Sequence, residues 1–246
     1  MSLLSRYLDG EHELVWNEIR QLTNAEAQEN RDVLGVASAT MERVAQNADL
    51  LTKRLKTLGW EPLDLGYSSL RTPPSHEDQL LIDRIVEISG HSLPVSFEAF
   101  WNIVGGINWI WNYESKVECP DLGLGLSIDE MDPLCVSSPQ FVAYQIGEWD
   151  SGEHHFVTGL QHDQYRLDLA PDYLHKANIS GGDAYAIYLP AKNPDPTFAH
   201  ERHELPFFDY LRLAFRWGGF PRLEEHAQKS DVQIFVNEFT SGLIKF

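Results

Sequence analysis

The sequence predicts an α+β protein, in which a mostly antiparallel sheet is packed with helices and preceded by an N-terminal helical extension. Apolar residues recur at helical spacing through residues 3–60. A later segment, "ISGGDAYAIYLP" at residues 179–190, places a glycine turn before alternating apolar residues, which is typical of a short strand. Hydrophobic residues make up 43% of the 246 residues, enough for a folded core.

The charge of the chain narrows the classes of partner. Asp and Glu number 37 against 19 Lys and Arg, which gives a net charge of −18. Such a surface repels phosphates, so we expect no nucleic-acid partner. No apolar run approaches the ~20 residues that a membrane span needs, so we expect no membrane partner.

Cys119 and Cys135 lack metal or redox spacing and are expected to be reduced thiols of a cytoplasmic protein, although a lone disulfide stays open.

Residues 1–62 are predicted to form the helical extension. Thr23 and Glu26 have the spacing of a capping box, and a longer helix is expected to follow and to end at Gly59. Residues 63–75 are rich in Pro, Gly and Ser and are predicted to be a linker. Two interpretations of the extension stay open: a framework packed on the main domain, or a separate interaction module.

Residues 76–246 are predicted to form the main domain. Ser75 can cap a helix that stops near Gly90. A second helix is expected in "LPVSFEAFWNIVGG", residues 93–106, with Pro94 near its first turn. The sequence then predicts short strands around residues 107–113, 155–160, 164–169 and 184–189.

The segment "DYLRLAFRWGGFPR", residues 209–222, predicts a buried helix with one polar stripe. Its charged residues Asp209, Arg212 and Arg216 fall on one face, and Gly218 supplies a left-handed cap. This pattern favours a framework helix over a binding site. In the tail, Ser230 and Gln233 predict a second capping box and a helix ending at Gly242, with a strand as the alternative.

Acidic residues concentrate between residues 114 and 172. Twelve carboxylates and only two cations lie there, so this segment carries −10 of the total −18. Such a face would attract a basic partner, and a buried aromatic residue would supply affinity. Trp149 is the predicted aromatic anchor; the full set of predicted partner-binding residues is Glu148, Trp149, Asp150, Glu153, His154 and Asp163. The alternative is a solvated acidic face with one half-buried tryptophan.

The histidines of the same region offer a possible metal site, which the pattern does not favour. His154, His155 and His162 lie near acidic residues, but adjacent residues of a strand point to opposite faces. The chain also lacks a nucleophile elbow and a phosphate-binding loop. We therefore expect no catalytic residue, no metal and no cofactor.

The order of these segments resembles the SUKH superfamily, which includes Smi/Knr-like regulators and a branch of bacterial immunity proteins. The resemblance rests on "LPVSFEAFWNIVGG", "DPLCV", "NISGGDAYAIYLP" and "FFDYLRLAFRWGGFP" and covers about residues 76–242. It implies an α+β fold and no catalysis. No contact residue carries over. The matched residues are structural positions only: Pro94, Gly105, Gly106, Gly181, Gly182, Tyr210, Gly218, Gly219 and Phe220.

The resemblance and the acidic segment together favour a non-catalytic immunity protein. Such a protein would bind and neutralise a cognate toxin, often of nuclease type, through its acidic face, and we expect a monomer or weak dimer. One alternative is a Smi/Knr-like regulatory scaffold that uses the N-terminal helices as a second docking surface. A further alternative is a metal-dependent enzyme that uses the Asp and His residues of the middle segment.

Overall fold

The computed structural model describes residues 1–64, 69–151, 160 and 163–246. About half of the chain is helical and about one tenth is in strands. The strands form small antiparallel sheets packed against helices, which confirms the predicted α+β fold. Among the helices described, none is both long and apolar enough to cross a membrane.

The N-terminal segment folds into helices α1 (Leu3–Leu8), α2 (His12–Ile19), α3 (Asn24–Glu29) and α4 (Arg31–Thr57). The capping box of Thr23 and Glu26 is present and begins α3, as predicted. Helix α4 forms because apolar side chains recur on one face over its whole length. Its buried apolar residues are Val33, Val36, Ala37, Met41, Val44, Ala48, Leu51 and Leu55.

The predicted linker contains an element of the main sheet. Strand β1 (Arg71–Thr72) pairs antiparallel with β2 (Gly106–Asn108), and β2 pairs with β3 (Cys135–Val136). The Leu63 amide also donates to the Ile110 carbonyl at 2.9 Å. The Pro/Gly/Ser composition concealed these contacts, although Leu63 and Leu70 are both buried in the core.

The first helices of the main domain match the prediction closely. Helix α5 (His76–Ser89) begins with a capping box from Ser75 and ends at Gly90, whose φ is +68°. Helix α6 (Val95–Ala99) continues into a π-helical turn over Phe100–Val104. Gly105 is required next, since its φ is +86° and a Cβ there would collide with the Thr72 carbonyl oxygen. This close approach seats β1 beside β2.

The predicted strand at 107–113 is shorter than expected. Strand β2 ends at Asn108, and the following residues continue without a regular ladder, although Trp109 N still donates to Leu134 O at 2.9 Å. A second sheet pairs β4 (Tyr165–Ala170) with β5 (Tyr185–Leu189), as predicted, with a bulge between Asp168 and Ala170. The predicted strand at 155–160 lies outside the described residues apart from residue 160.

The middle of the chain is more helical than predicted. A short helix α7 (Ile128–Met131) and a longer α8 (Pro139–Ser151) occupy a region expected to contain strands and loops. Helix α8 packs against α5 and β4. The sequence predicts no helix between the strands expected at 107–113 and 155–160, so α8 corrects that expectation.

The C-terminal helices are α9 (Phe207–Arg216) and α10 (Ser230–Phe239). Gly218 follows α9 with a φ of +67°, as predicted. The predicted capping box at Ser230 is wrong. Lys229 is the N-cap residue, and the Gln233 side chain instead donates to the Ala227 carbonyl at 2.7 Å. The tail is helical rather than extended, which settles the alternative left open by the sequence.

The N-terminal helices and the main domain share one hydrophobic cluster. Trp16 packs on Phe208 with ring centroids 3.9 Å apart. The Trp109 indole donates to the Thr52 hydroxyl at 3.2 Å, and the Trp60 indole donates to the Trp109 carbonyl at 3.0 Å. These buried contacts favour the framework interpretation of the N-terminal helices.

Candidate functional site

Three of the predicted site residues lie on helix α8, but they point to different faces of the helix. Its buried face carries Val142, Gln145, Ile146 and Trp149 at helical spacing. Trp149 is only 4% exposed, and its ring lies 5.0 Å from that of Tyr165. A ring in this position stabilises the fold, so the prediction of Trp149 as a surface anchor does not fit its placement.

Glu148 and Asp150 are exposed but lie on different faces of α8. Asp150 faces α5, where its carboxylate lies 3.3 Å from the Arg84 guanidinium. Glu148 follows Tyr144 by four residues and therefore shares its face of the helix. The structure thus keeps Glu148 in a candidate surface and assigns Asp150 to an exposed ion pair.

The remaining predicted residues lie elsewhere or outside the described structure. Asp163 is exposed just before β4, and its carbonyl oxygen lies 3.0 Å from His91 Nε2. Glu153 and His154 fall outside the described residues. The predicted set is therefore not brought together as one site by the residues that can be placed.

A groove beside α8 replaces it as the candidate site. The cavity measures about 430 Å³ and is lined by Tyr113, Phe141, Tyr144, Asp168, Pro171 and Ile179, among others. We call it the tyrosine groove. Tyr113, Tyr144 and Ile179 are 38%, 58% and 46% exposed, so large apolar surface faces solvent here. A cluster of exposed apolar side chains of this kind marks a binding surface more often than a single exposed residue does.

Two elements are joined under the groove by a pair of hydrogen bonds. The Gln145 side-chain amide donates to the Asp168 carbonyl at 2.8 Å, and the Asp168 amide donates to Gln145 Oε1 at 2.9 Å. This exchange fixes α8 against β4 at the bulge of the strand. It therefore joins the helix that carries Tyr144 to the strand that carries Asp168.

Three carboxylates lie in or beside the groove, and we call them its acidic rim. Asp168 lines the groove, Asp183 lies between two lining residues, and Glu148 is one helical turn beyond Tyr144. Arg166 contacts Asp168 at 2.6 Å and Asp183 at 3.1 Å, so one cation is shared by two carboxylates. Burial raises the pKa of Asp168, and the Arg166 guanidinium opposes that shift. Desolvation, together with the charges of Asp168 and Glu148, raises the pKa of the Tyr144 phenol. The rise at Tyr144 is consistent with negative charge near its hydroxyl, whereas the rise at Asp168 comes first from its burial.

Another residue that lines the groove, His175, contacts the carboxylate of Asp172. His175 Nδ1 lies 2.5 Å from the Asp172 carboxylate, which also accepts from the Leu174 amide at 2.7 Å. Burial alone would raise the pKa of Asp172, but the hydrogen bonds from His175 and from the backbone lower it. This acid is committed to local structure, and the negative charge available to a partner comes from the rim.

Neither cysteine is activated. Burial raises the pKa of Cys135 to about 12 and that of Cys119 to about 11. A thiol with such a pKa is protonated at neutral pH and is a poor nucleophile. In the part of the chain that the structure describes, no three His, Cys, Asp or Glu side chains are grouped so that they could hold a metal ion.

Sequence reasoning missed the groove for an identifiable reason. The spacing of Val142, Gln145, Ile146 and Trp149 is a helical signal, and it would have placed Tyr144 and Glu148 on the outer face. The polar Gln145 on the inner face concealed the pattern. The partners of Tyr144 come from segments about thirty residues away on either side, which no local pattern links.

The described elements define an α+β protein with helix-covered antiparallel sheets and one acidic, tyrosine-lined groove. No family model, no curated protein and no solved structure matches the chain. The similarity to the SUKH superfamily therefore stays a prediction from the sequence.

Proposed function

We propose that this chain is a non-catalytic protein-binding module of the immunity type, which binds a basic toxin domain through the tyrosine groove. The observation that supports the proposal is the combination of exposed Tyr113, Tyr144 and Ile179 with an acidic rim. Tyrosine supplies a large contact area at a low cost in side-chain entropy, and it is enriched at binding hot spots.

Charge complementarity selects the class of partner. The segment of residues 114–172, which supplies Phe141, Tyr144 and Asp168 to the groove, carries −10 of the net charge of −18. Opposite charge on a partner accelerates encounter, while the buried aromatic contacts set the rate of dissociation. A toxin that acts on nucleic acid needs a cationic surface, so it is the kind of basic domain that fits this face.

The experiment uses purified basic domains encoded next to this gene. Association with the wild-type chain is measured at low and high salt, and inhibition of the toxin is titrated. We expect inhibition to be stoichiometric and to end at a one-to-one ratio. The variant Tyr144→Ala should weaken binding by about 2 kcal/mol, or about thirty-fold, mainly through faster dissociation.

Two charge reversals distinguish the effect of a charge beside the groove from the effect of the net charge of the chain on association. Glu148→Lys should slow association several-fold at low salt, and the difference should largely vanish near 1 M salt. Glu42→Lys makes the same change of charge on the exposed side of α4 and should have little effect. Equal effects of the two reversals, or wild-type binding by Tyr144→Ala, would contradict the tyrosine groove as the interface. Recovery of a housekeeping complex without any toxin would instead support a regulatory scaffold.

A further inference from the structure

Another large cavity shares no lining residue with the tyrosine groove. It measures about 760 Å³ and lies between the turn before α2, helix α4, helix α9 and residues 240–246. A second cavity of about 340 Å³ shares Glu13, Arg212 and Arg216 with it. Together the two cavities follow the polar stripe of α9, which the sequence had assigned to framework.

At the N-terminal end of the polar stripe Asp209 is held in ion pairs, whereas Arg212 keeps an unpaired nitrogen. Asp209 receives Arg20 and Arg212, each at 2.9 Å, and so joins α9 to α2. Arg212 also donates through Nε to the Phe246 carbonyl at 2.8 Å. Its Nη2 is buried and has no hydrogen-bond partner among the described residues. A buried donor without an acceptor is costly, so this N–H group is suited to donate to an anionic oxygen.

Two further cations line the cavity without an ion pair. Arg216 and Lys245 are exposed, and neither has a salt bridge within the ranges that the structure covers. Of the two carboxylates in the lining, Glu11 is neutralised by Arg6 at 2.9 Å, which leaves Glu13. The lining is therefore positively charged, in a chain whose net charge is −18.

The pKa of the neighbouring His12 is lowered by the positive charge around the cavity, after its burial. Burial lowers the pKa of His12, and the positive charges of Arg43, Arg212 and Lys245 lower it further. The guanidinium of Arg43 lies 2.6 Å from His12 Nε2 and covers the Tyr7 ring at 4.9 Å. His12 is thus held as a neutral group on the wall of a cationic cavity.

The opposite wall is apolar. Phe215, Leu243 and Ile244 line the cavity, and Leu14 stands at its edge with 60% of its surface exposed. Ile244 is held in place by Asn47, which exchanges two hydrogen bonds of 2.8 Å with its backbone. A cavity of this size, with apolar walls and a few convergent polar groups, has the character of a small-molecule site.

We propose that this cavity binds a small amphipathic anion, with its phosphate or carboxylate group at Arg212, Arg216 and Lys245 and its apolar part against Phe215 and Ile244. Guanidinium groups bind the oxygens of both anions through parallel charge-assisted hydrogen bonds. The site is separate from the proposed toxin interface and does not depend on it.

The test is calorimetric titration of the full chain with phenyl phosphate, which carries both the anionic and the apolar part. We expect saturable one-to-one binding with a Kd of about 0.1–1 mM, the range for a ligand of this size. Arg216→Gln combined with Lys245→Gln should weaken binding at least about ten-fold, because two charge-assisted contacts are lost. Both residues are exposed, so the unfolding midpoint should stay close to that of the wild type.

Three controls define the outcome. Lys116→Gln combined with Lys192→Gln changes the net charge equally at exposed positions outside the cavity and should leave binding unchanged. Benzyl alcohol, which lacks the charge, should bind at least about ten-fold more weakly. Arg212→Lys keeps the charge but removes the fork and should also weaken binding. No saturation up to about 10 mM, equal binding of benzyl alcohol, or equal losses in both double variants would overturn the proposal.

Discussion

Lys176 and Asp132 form an ion pair that is removed from water. Lys176 Nζ lies 2.6 Å from Asp132 Oδ1, and both side chains are almost completely buried. The Tyr185 hydroxyl donates to Asp132 Oδ2 at 3.1 Å, and the ammonium group lies 4.7 Å from the Tyr185 ring centre. Desolvation of two charges is expensive, so the pair is stable only while every partner is present.

We predict that Asp132→Asn lowers the free energy of unfolding by about 3–5 kcal/mol, because it leaves a buried ammonium group without its counter-charge. Asn is the suitable replacement, since Asp132 has a φ of +53°, which Asn tolerates. Urea denaturation at neutral pH measures the change.

A double-mutant cycle tests the same ion pair. It compares the single variants with Asp132→Asn combined with Lys176→Met, which removes both charges. It should recover most of the lost stability, because no charge is then left unpaired. If the two substitutions were simply additive, the coupling between the two side chains would be absent and the interpretation would be wrong.

At the scale of elements, α8 has two faces with different roles. The inner face carries Trp149, which packs on Tyr165, and Gln145, which is bonded to the β4 backbone. The outer face carries Tyr144, which lines the tyrosine groove, and the exposed Glu148 one turn further along the helix. A single helix therefore links the stability of the sheet to the shape of the proposed interface.

We predict effects of different size on the free energy of unfolding for the two aromatic residues of α8. Trp149→Ala should lower the free energy of unfolding by about 3–5 kcal/mol, because it removes a buried ring. Tyr144→Ala should change it by less than about 0.5–1 kcal/mol, since most of that side chain is exposed. Chemical denaturation of both variants decides the assignment; a larger loss for Tyr144→Ala would reverse it.

Most elements defined by local signals could be predicted from the sequence, and the capping box expected at Ser230 is the exception. The capping residues Thr23 and Ser75 and the terminal glycines Gly90 and Gly218 act within one helical turn, and each marks the boundary it was expected to mark. Short-range hydrogen bonds and left-handed backbone positions need no knowledge of the rest of the chain.

Elements defined by distant partners could not be predicted. Strand β1 exists because Thr72 pairs with Gly106, and the inner face of α8 includes Gln145 because Asp168 offers a backbone partner. The tyrosine groove likewise combines side chains from segments far apart in sequence. The acidic character of this region was visible in the composition. That Tyr144 and not Trp149 is the exposed aromatic residue became clear only from the orientation of helix α8.

At the scale of the whole molecule, the N-terminal helices complete the core of the main domain. Helix α4 packs on α6 and on the π-helical turn that follows it, and Arg20 reaches the buried carboxylate of Asp195 at 2.7 Å. Asn24 also accepts from the Val95 amide at 3.1 Å and donates to the Leu93 carbonyl at 3.0 Å. Removing the helices would expose the apolar residues that these contacts cover.

We predict that a chain beginning at residue 59 does not fold cooperatively, because the faces packed on α1–α4 would be exposed to water. Circular dichroism and limited proteolysis of this truncated chain, compared with the full chain, measure the effect. A sharp unfolding transition and protease resistance in residues 59–246 would show instead that the helices form a separate module.

The bonds between α4 and the segment after α10 have a consequence for synthesis in the cell. Asn47 binds the backbone of Ile244, which is 197 residues later, and Arg54 binds the carbonyl oxygen of Ser241 at 2.6 Å. Ribosomes add about 5–20 residues per second, so the interval between the two partners lasts about 10–40 s. Throughout that time the side of α4 that contacts residues 241–244 is not yet covered by them. This surface is then accessible to chaperones and to other nascent chains.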